Sequence, residues 1–276
     1  MSDLNVYTTS QINALTPNSI TGDMVVDSDL NAVKLYDGAA WRVFNSDSVA
    51  VPYQNRWGAD FSGGKLSVAS TNDFAFGTSG FTISLWFIHD NTSQALFDFR
   101  GSAATPMVWL SGSEIKYYAS SGYRITESYT YQASTWRHLV IHNDGSGTTS
   151  MYLDNLSTPL GTFSDSINYV QAPLTIATYG SNAGGGANKI DEFSVFNSTS
   201  SLSNIADLAS SGKPTDLASY DPVAWYRMGD DSSDSPVDAG LISGITDSSG
   251  NGNDATTVAT SQPTFSALAS SETIYV

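Results

Sequence analysis

The chain has 276 residues, with 27 acidic side chains against 11 basic ones and a formal charge of −16. Phosphate is held mainly by Lys and Arg, and those here lie scattered from Lys34 to Arg227, so nucleic acid and anionic membrane surfaces are poor partners. Disulfides, thiolate catalysis and Cys-ligated zinc are excluded by the lack of cysteine, while 40% hydrophobic residues provide for a real core and 69 Ser and Thr for a hydroxyl-rich surface.

Residues 1–50 form a polar module. Met24-Val25-Val26 and Val33-Lys34-Leu35-Tyr36 are short apolar stretches, and Asp37-Gly38 turns the chain before Trp41-Arg42-Val43-Phe44. The pattern predicts a small β meander. With so few large apolar groups, the module is expected to lean on the next domain or on other copies of itself.

Residues 51–212 read as a long series of strands. Phe81, Ile83, Leu85 and Phe87 alternate with Thr82, Ser84, Trp86 and Ile88, so one face is apolar and the other partly so. Further strands are expected at Ala95–Phe99, Met107–Leu110, Ile115–Ala119, Trp136–His142, Ser150–Leu153, Leu174–Thr178 and Ile190–Phe196. Asp144-Gly145 and Gly184-Gly185-Gly186 mark turns between them. Many short strands with almost no helical period predict an antiparallel sandwich. One helix is expected where Leu202, Ile205 and Leu208 are spaced by three, with Ser201 or Ser203 as N-cap and Gly212-Lys213-Pro214 as the stop.

Residues 213–276 return to β structure and become acidic, with eight Asp against one Arg between Asp216 and Asp254. Val223–Met228 reads as a strand and Thr273–Val276 as a last one. No apolar run approaches the ~20 residues of a membrane helix, and Met1–Asn5 lacks the basic start and apolar stretch of a signal peptide.

Several segments carry a resemblance. Phe61-Ser62-Gly63-Gly64-Lys65-Leu66, Asn72-Asp73-Phe74 and Phe81–Phe87 resemble the first half of laminin G-like, concanavalin A-like jelly-roll domains. Trp136-Arg137-His138-Leu139-Val140, Met151-Tyr152-Leu153-Asp154 and Ile190–Asn197 continue that pattern in order. The resemblance implies an all-β concanavalin A-like jelly-roll sandwich preceded by a small N-terminal β module. Trp225–Asp230 and Asp247–Thr256 look like the segment that normally opens such a domain, yet follow its body. Either the domain is permuted and residues 213–276 complete the same sandwich, or they pair with a neighbouring subunit, or a further domain is cut short; completion of the same sandwich is the preferred reading. Ala14-Leu15-Thr16-Pro17, Gly22-Asp23-Met24-Val25 and Leu35–Trp41 resemble a short module of bacteriophage tail-fibre and head-fibre proteins.

These resemblances imply a non-enzymatic phage virion structural protein, assembled in the host cytoplasm and standing on the virion surface. It would decorate the capsid or form a short fibre, with residues 1–50 attaching to other virion proteins and forming a homo-oligomer, expected to be a trimer. The rival is a tail receptor-binding lectin that adheres to host surface glycans with calcium as its cofactor. Some jelly-roll relatives hydrolyse glycosides with two carboxyls, but the only Glu are Glu114, Glu127, Glu192 and Glu272. Asp191 and Glu192 are adjacent, so on a strand they point to opposite faces, and both are expected to be solvated or turn-capping. His138 and His142 share a strand face about 13 Å apart at ~3.3 Å per residue, too far to share a metal.

Calcium wants several oxygen ligands, and the family often carries one at the sandwich rim. Asp247, Asn251, Asn253 and Asp254 supply oxygens in one glycine-containing loop, with Asp73 as a further candidate; the same residues also simply build tight turns. Sugar stacking would use Trp109, Tyr117, Tyr118 and Tyr123, with Tyr129, Tyr131 and Tyr179 beside them. Tyrosines equally fill sandwich cores and subunit interfaces.

Overall fold

An eight-residue strand buried along both faces must lie between layers, and Phe81–Ile88 is such a strand. The computed structural model describes residues 6–15, 23–27, 32–36, 39–44, 53, 55–62, 64–99, 105–178, 189–210, 212–236, 239–257, 262–268 and 273–274. Asp37-Gly38, Tyr179 and Gly184-Gly185-Gly186 lie outside the described residues. The chain divides into two units, Met1–Gln54 and Asn55–Val276.

The first unit comprises β1 (Val6–Tyr7), α1 (Thr9–Leu15), β2 (Met24–Asp27), β3 (Ala32–Tyr36) and β4 (Trp41–Phe44). Its sheet runs β1-β2-β3-β4, so the expected meander is there as β2–β4, with β1 added in parallel. The helix was not expected. Thr8 N donates to Gln11 Oε1 at 2.8 Å and Gln11 N donates to Thr8 Oγ1 at 3.3 Å, a capping box that starts α1. Ile12, Val25 and Tyr36 are buried, and the fully buried Asp27 pairs with Lys34 Nζ at 2.7 Å.

The second unit opens with β5 (Trp57–Asp60), β6 (Leu66–Val68), β7 (Phe81–Ile88), β8 (Gln94–Asp98), β9 (Met107–Leu110) and β10 (Glu114–Ala119). It continues with β11 (Gly122–Ser128), β12 (Thr135–Asn143), β13 (Thr148–Leu153), β14 (Gly161–Ser164), β15 (Leu174–Ile176) and β16 (Lys189–Phe196). After a short hairpin of β17 (Ala209–Ser210) and β18 (Lys213–Pro214) come β19 (Ala224–Tyr226), β20 (Gly244–Ile245), β21 (Ala255–Thr257), β22 (Thr264–Ala267) and β23 (Thr273–Ile274). One sheet has the order β14-β13-β12-β7-β16-β5-β22, with β19 also on β16 and β23 on β12; the other runs β11-β10-β9-β8-β15-β6-β21-β20. Phe87, Leu139 and Phe193 from the first and Leu66, Phe97 and Tyr117 from the second share one core. This is the expected all-β jelly-roll sandwich.

The acidic C-terminal segment lies within these same sheets. β19 runs antiparallel to β16, β21 to β6 and β22 to β5. Val223, Tyr226, Met228, Ile242, Ile245 and Phe265 belong to the common core. The approach is close: a Cβ built on Gly64 would stand 2.3 Å from the backbone nitrogen of Pro263.

Two expectations need correction. The helix over 202–209 is only a 3-10 turn, Ile205–Leu208, capped by the Asn204 side chain rather than by Ser201 or Ser203. Ala209 is already extended and enters β17, so the spacing of Leu202, Ile205 and Leu208 fits a strap laid over a sheet and not a helical face. Asp191 and Glu192 are not solvated but 1% and 2% exposed. Pairing between β16 and β7 shifts register between Asp191 and Ser194, and Glu192 takes φ 49° in this bulge, which turns both carboxyls into the protein.

Candidate functional site

Strand alternation leaves β7 and β12 with a second, outward row: Thr82, Ser84, Trp86 on one and His138, Val140, His142 on the other. That row is not left to solvent, because the strap from Leu202 to Pro214 crosses it and Ala209 packs beside Trp86 and Trp136. Where the strap and the end of β13 stand apart, a cleft of about 740 Å³ opens. Trp86 and His138 form its floor, Tyr129 and Arg137 one flank, and Ala206 and Ala209 of the strap the other. Leu153, Leu156 and Leu160 add apolar wall; Ser128, Thr130, Gln132 and Asn155 add hydrogen-bonding groups.

The floor is rigid. Trp86 and His138 stack with ring centroids 4.4 Å apart and planes within 2°, and Ser84 Oγ lies 2.8 Å from His138 Nε2. Complete burial pushes the His138 imidazole down to about 3, so it is neutral at physiological pH. The flank is fixed by Asp154, at the end of β13 with φ 62°. Its Oδ2 takes Arg137 Nε at 2.7 Å and Nη2 at 2.6 Å, and its Oδ1 takes the His138 backbone N–H at 3.0 Å. The Arg137 guanidinium sits 5.6 Å from the Tyr129 ring centroid. Burial raises the Tyr129 phenol to about 12. Arg137 and Asp154 are the charged lining residues, and they neutralise each other.

Of the tyrosine-rich candidates, Tyr117 is corrected. Burial along β10 alternates, with Ile115, Tyr117 and Ala119 inward, and Tyr117 is 0% exposed. Its hydroxyl lies 3.0 Å from that of Tyr169, which donates to Asp165 Oδ2 at 2.7 Å. It is a core residue and offers no ring to a ligand. Trp109, Tyr118 and Tyr123 instead share the outward face of the other sheet, Trp109 opposite Lys116 and Tyr118 opposite Tyr123. Tyr123 is 51% exposed, meets Tyr118 edge-on, and has Lys116 Nζ 5.3 Å from its ring centroid. Of the described tyrosine candidates the cleft draws on Tyr129; Trp86, Arg137, His138, Leu153 and Asp154 stand in the segments that carry the jelly-roll resemblance, but nothing in the sequence marked them as one site, since the strap and β13 meet there only through the fold.

The calcium candidates do converge. Asp247 Oδ1 accepts the backbone N–H groups of Trp225 and Ser249, both at 3.0 Å, and Oδ2 accepts that of Asn253 at 2.9 Å. Asp254 Oδ1 takes the Asp247 N–H at 2.9 Å. Asn253 Nδ2 donates to Asp73 Oδ2 at 2.9 Å and to the Val223 carbonyl at 2.8 Å, while Asn251 Nδ2 donates to the Pro222 carbonyl at 3.2 Å. The five residues thus form a latch that ties the C-terminal loop to β19 and to the turn at Asp73. Among the described residues, no three His, Cys, Asp or Glu side chains gather as a metal site.

Comparison with known proteins agrees with this architecture. A putative carbohydrate binding protein from Bacteroides ovatus superposes over 94% of this chain and 73% of its own, with a TM-score of 0.58 at 12% identity. A heptameric SAP-like pentraxin from Limulus polyphemus matches 51% of this chain and 76% of its own, at 13% identity and a TM-score of 0.40. The botulinum neurotoxin serotype D binding domain matches 60% of this chain but only 46% of its own length, at 14% identity and a TM-score of 0.40. No curated protein sequence matches the chain. The family profile described as the concanavalin A-like lectin/glucanases superfamily matches residues 62–206. That span exceeds half of the sequence and carries Trp86, Tyr129, His138 and Asp154, and the chain belongs to the concanavalin A-like lectin/glucanase superfamily.

Proposed function

We propose that the jelly roll binds carbohydrate in the cleft between β12, β13 and the strap, and that the chain acts by binding and not by catalysis. The observation that carries this reading is the make-up of the cleft. Leu153, Leu156 and Leu160 offer an apolar wall to the C–H face of a sugar ring, while Gln132, Asn155 and the hydroxyls of Ser128 and Thr130 offer partners to its edge. The Bacteroides ovatus neighbour, described as a putative carbohydrate binding protein, supports the same reading. Glycan-array binding of the purified chain tests it, with Leu160→Trp filling the mouth of the cleft and Tyr123→Ala removing the exposed ring on the other sheet. Saturable binding lost in Leu160→Trp and kept in Tyr123→Ala is expected. The reverse pattern would move the site to the Trp109, Tyr118 and Tyr123 face.

The setting we propose is the surface of a phage particle, with the first unit attaching and trimerising and the jelly roll presented outward. The resemblance of residues 1–50 to fibre-protein modules supports it, as does the separation of Met1–Gln54 as a unit with its own small sheet. Gold-labelled antibody against the jelly roll is expected to decorate purified particles, and particles should lose that label when residues 1–50 are deleted. Label that persists after the deletion would refute attachment through the first unit.

A further inference from the structure

A buried polar atom without a hydrogen-bond partner costs stability, and the great majority of such atoms in folded proteins are satisfied. Two of the unpaired ones among the described residues belong to side chains lining the same cleft: Tyr129 Oη and His138 Nδ1. Tyr129 is 4% exposed and His138 1%. Their surroundings supply no substitute. Tyr129 packs against His89 and under Arg137 through its ring, and His138 has its other nitrogen on Ser84 Oγ and its face on Trp86. Both atoms are out of reach of solvent in the free chain, although their residues line the cleft. A ligand group that reaches them after a small shift of the neighbouring side chains gains partners without displacing existing protein hydrogen bonds.

The charge of the site narrows what that group is. Arg137 and Asp154 cancel across 2.6 Å, the imidazole is held neutral by its burial, and the whole chain carries −16. No unmatched cation in the lining greets a carboxylate. A hydroxyl, by contrast, both donates and accepts, which suits a phenol and an imidazole nitrogen together.

We infer that the cleft takes a neutral glycan, with sugar hydroxyls completing Tyr129 Oη and His138 Nδ1, and that the lack of an unmatched cation in the lining sets its preference for neutral over acidic sugars. This rests on the carbohydrate reading of the cleft. The experiment measures binding of the purified full-length chain to immobilised neutral hexose and N-acetylhexosamine oligosaccharides, and to matched oligosaccharides ending in uronic or sialic acid. Neutral sugars are expected to bind at least about tenfold tighter than their acidic counterparts. Tyr129→Phe removes only the unpaired oxygen; it should weaken binding about tenfold, which corresponds to one lost hydrogen bond of ~1.4 kcal/mol, while the melting temperature holds or rises. The His138 Nδ1 resonance of the 15N-labelled chain should shift on addition of a neutral sugar that binds.

Acidic sugars bound as well as neutral ones would overturn the inference. So would Tyr129→Phe binding like the parent while Leu160→Trp abolishes binding, since the sugar would then sit in the cleft without using the hydroxyl. If no sugar in either panel binds, the carbohydrate reading itself fails, and this inference fails with it.

Discussion

The latch at Asp247 is expected to be among the most sensitive polar positions of the jelly roll. Its carboxylate is 5% exposed and receives three backbone N–H groups, of which those of Trp225 and Asn253 are buried. Asp247→Ala leaves both buried donors unpaired at ~1–3 kcal/mol each, so a loss of about 4 kcal/mol is expected. Asp247→Asn keeps an acceptor for Trp225 and Ser249 but turns an N–H₂ toward the Asn253 N–H. One charge-assisted bond is lost, for about 2 kcal/mol. Urea unfolding followed by tryptophan fluorescence reads this well, because Trp57, Trp86, Trp109, Trp136 and Trp225 all lie in the second unit. The midpoint should move with little change in slope. A loss below about 1 kcal/mol for Asp247→Ala, or equal losses for the two variants, would show that the N–H groups find other partners and would refute the latch.

Removing residues 213–276 should prevent the sandwich from folding cooperatively. Val223, Tyr226, Met228, Ile242, Ile245 and Phe265 leave the core with it, at ~1.5–3 kcal/mol each, against a typical total stability of ~5–15 kcal/mol; a sharp thermal transition in the truncated chain would count against the shared core. Gly64→Ala should destabilise by more than about 2 kcal/mol and speed amide exchange in 262–267, where its Cβ meets backbone; unchanged exchange there would refute the close approach. Acid should weaken the fold through His138: the unfolded imidazole takes up a proton below about 6.5 and the native one only near 3. Stability should therefore fall by ~1.4 kcal/mol per pH unit across that window, about 5 kcal/mol in all, and His138→Gln should flatten the slope. Asp191 acts in the opposite sense, because burial first and the nearby Glu192 second raise its carboxyl. Ionisation is resisted only in the native state, so Asp191→Asn should gain stability over the parent as pH rises above about 4, and the gap should close in acid. A gap independent of pH would refute that assignment.

What was legible in the sequence was what period two encodes. Phe81–Ile88 and Glu114–Ala119 show their alternation directly, and the strands expected across 81–196 are found to within a residue or two, whereas β5, β6, β11 and β14 were not expected. Local chemistry is legible too: Thr8 and Gln11 stand at the spacing of a capping box, the one sequence signal for the unexpected α1. Depth was harder. Tyr117 and Tyr118 are neighbours of the same type, and only the register of β10 sends one into the core and the other to the surface. Asp191 and Glu192 defeat even the alternation rule, since the bulge at Glu192 inserts a step that no spacing of residues predicts.

The cleft was beyond the sequence for a different reason. Its parts come from β7, β11–β12, β13 and the strap, segments up to about 120 residues apart that meet only because β12 lies beside β7 and the strap returns across both. Its chemistry is likewise relational. A His on a strand is unremarkable until Trp86 covers its face, Ser84 takes one nitrogen and the other is left unpaired. An Arg in a chain of −16 suggests attraction for anions until Asp154 is found 2.6 Å away. The same feature that a motif search cannot see, a polar atom buried without a partner on a side chain that lines an open space, is what turns this stretch of sheet from packing into a candidate for recognition. It also makes the reading vulnerable in a useful way, because a single oxygen on Tyr129 can be removed with little prospect of harming the fold and with every prospect of harming the binding.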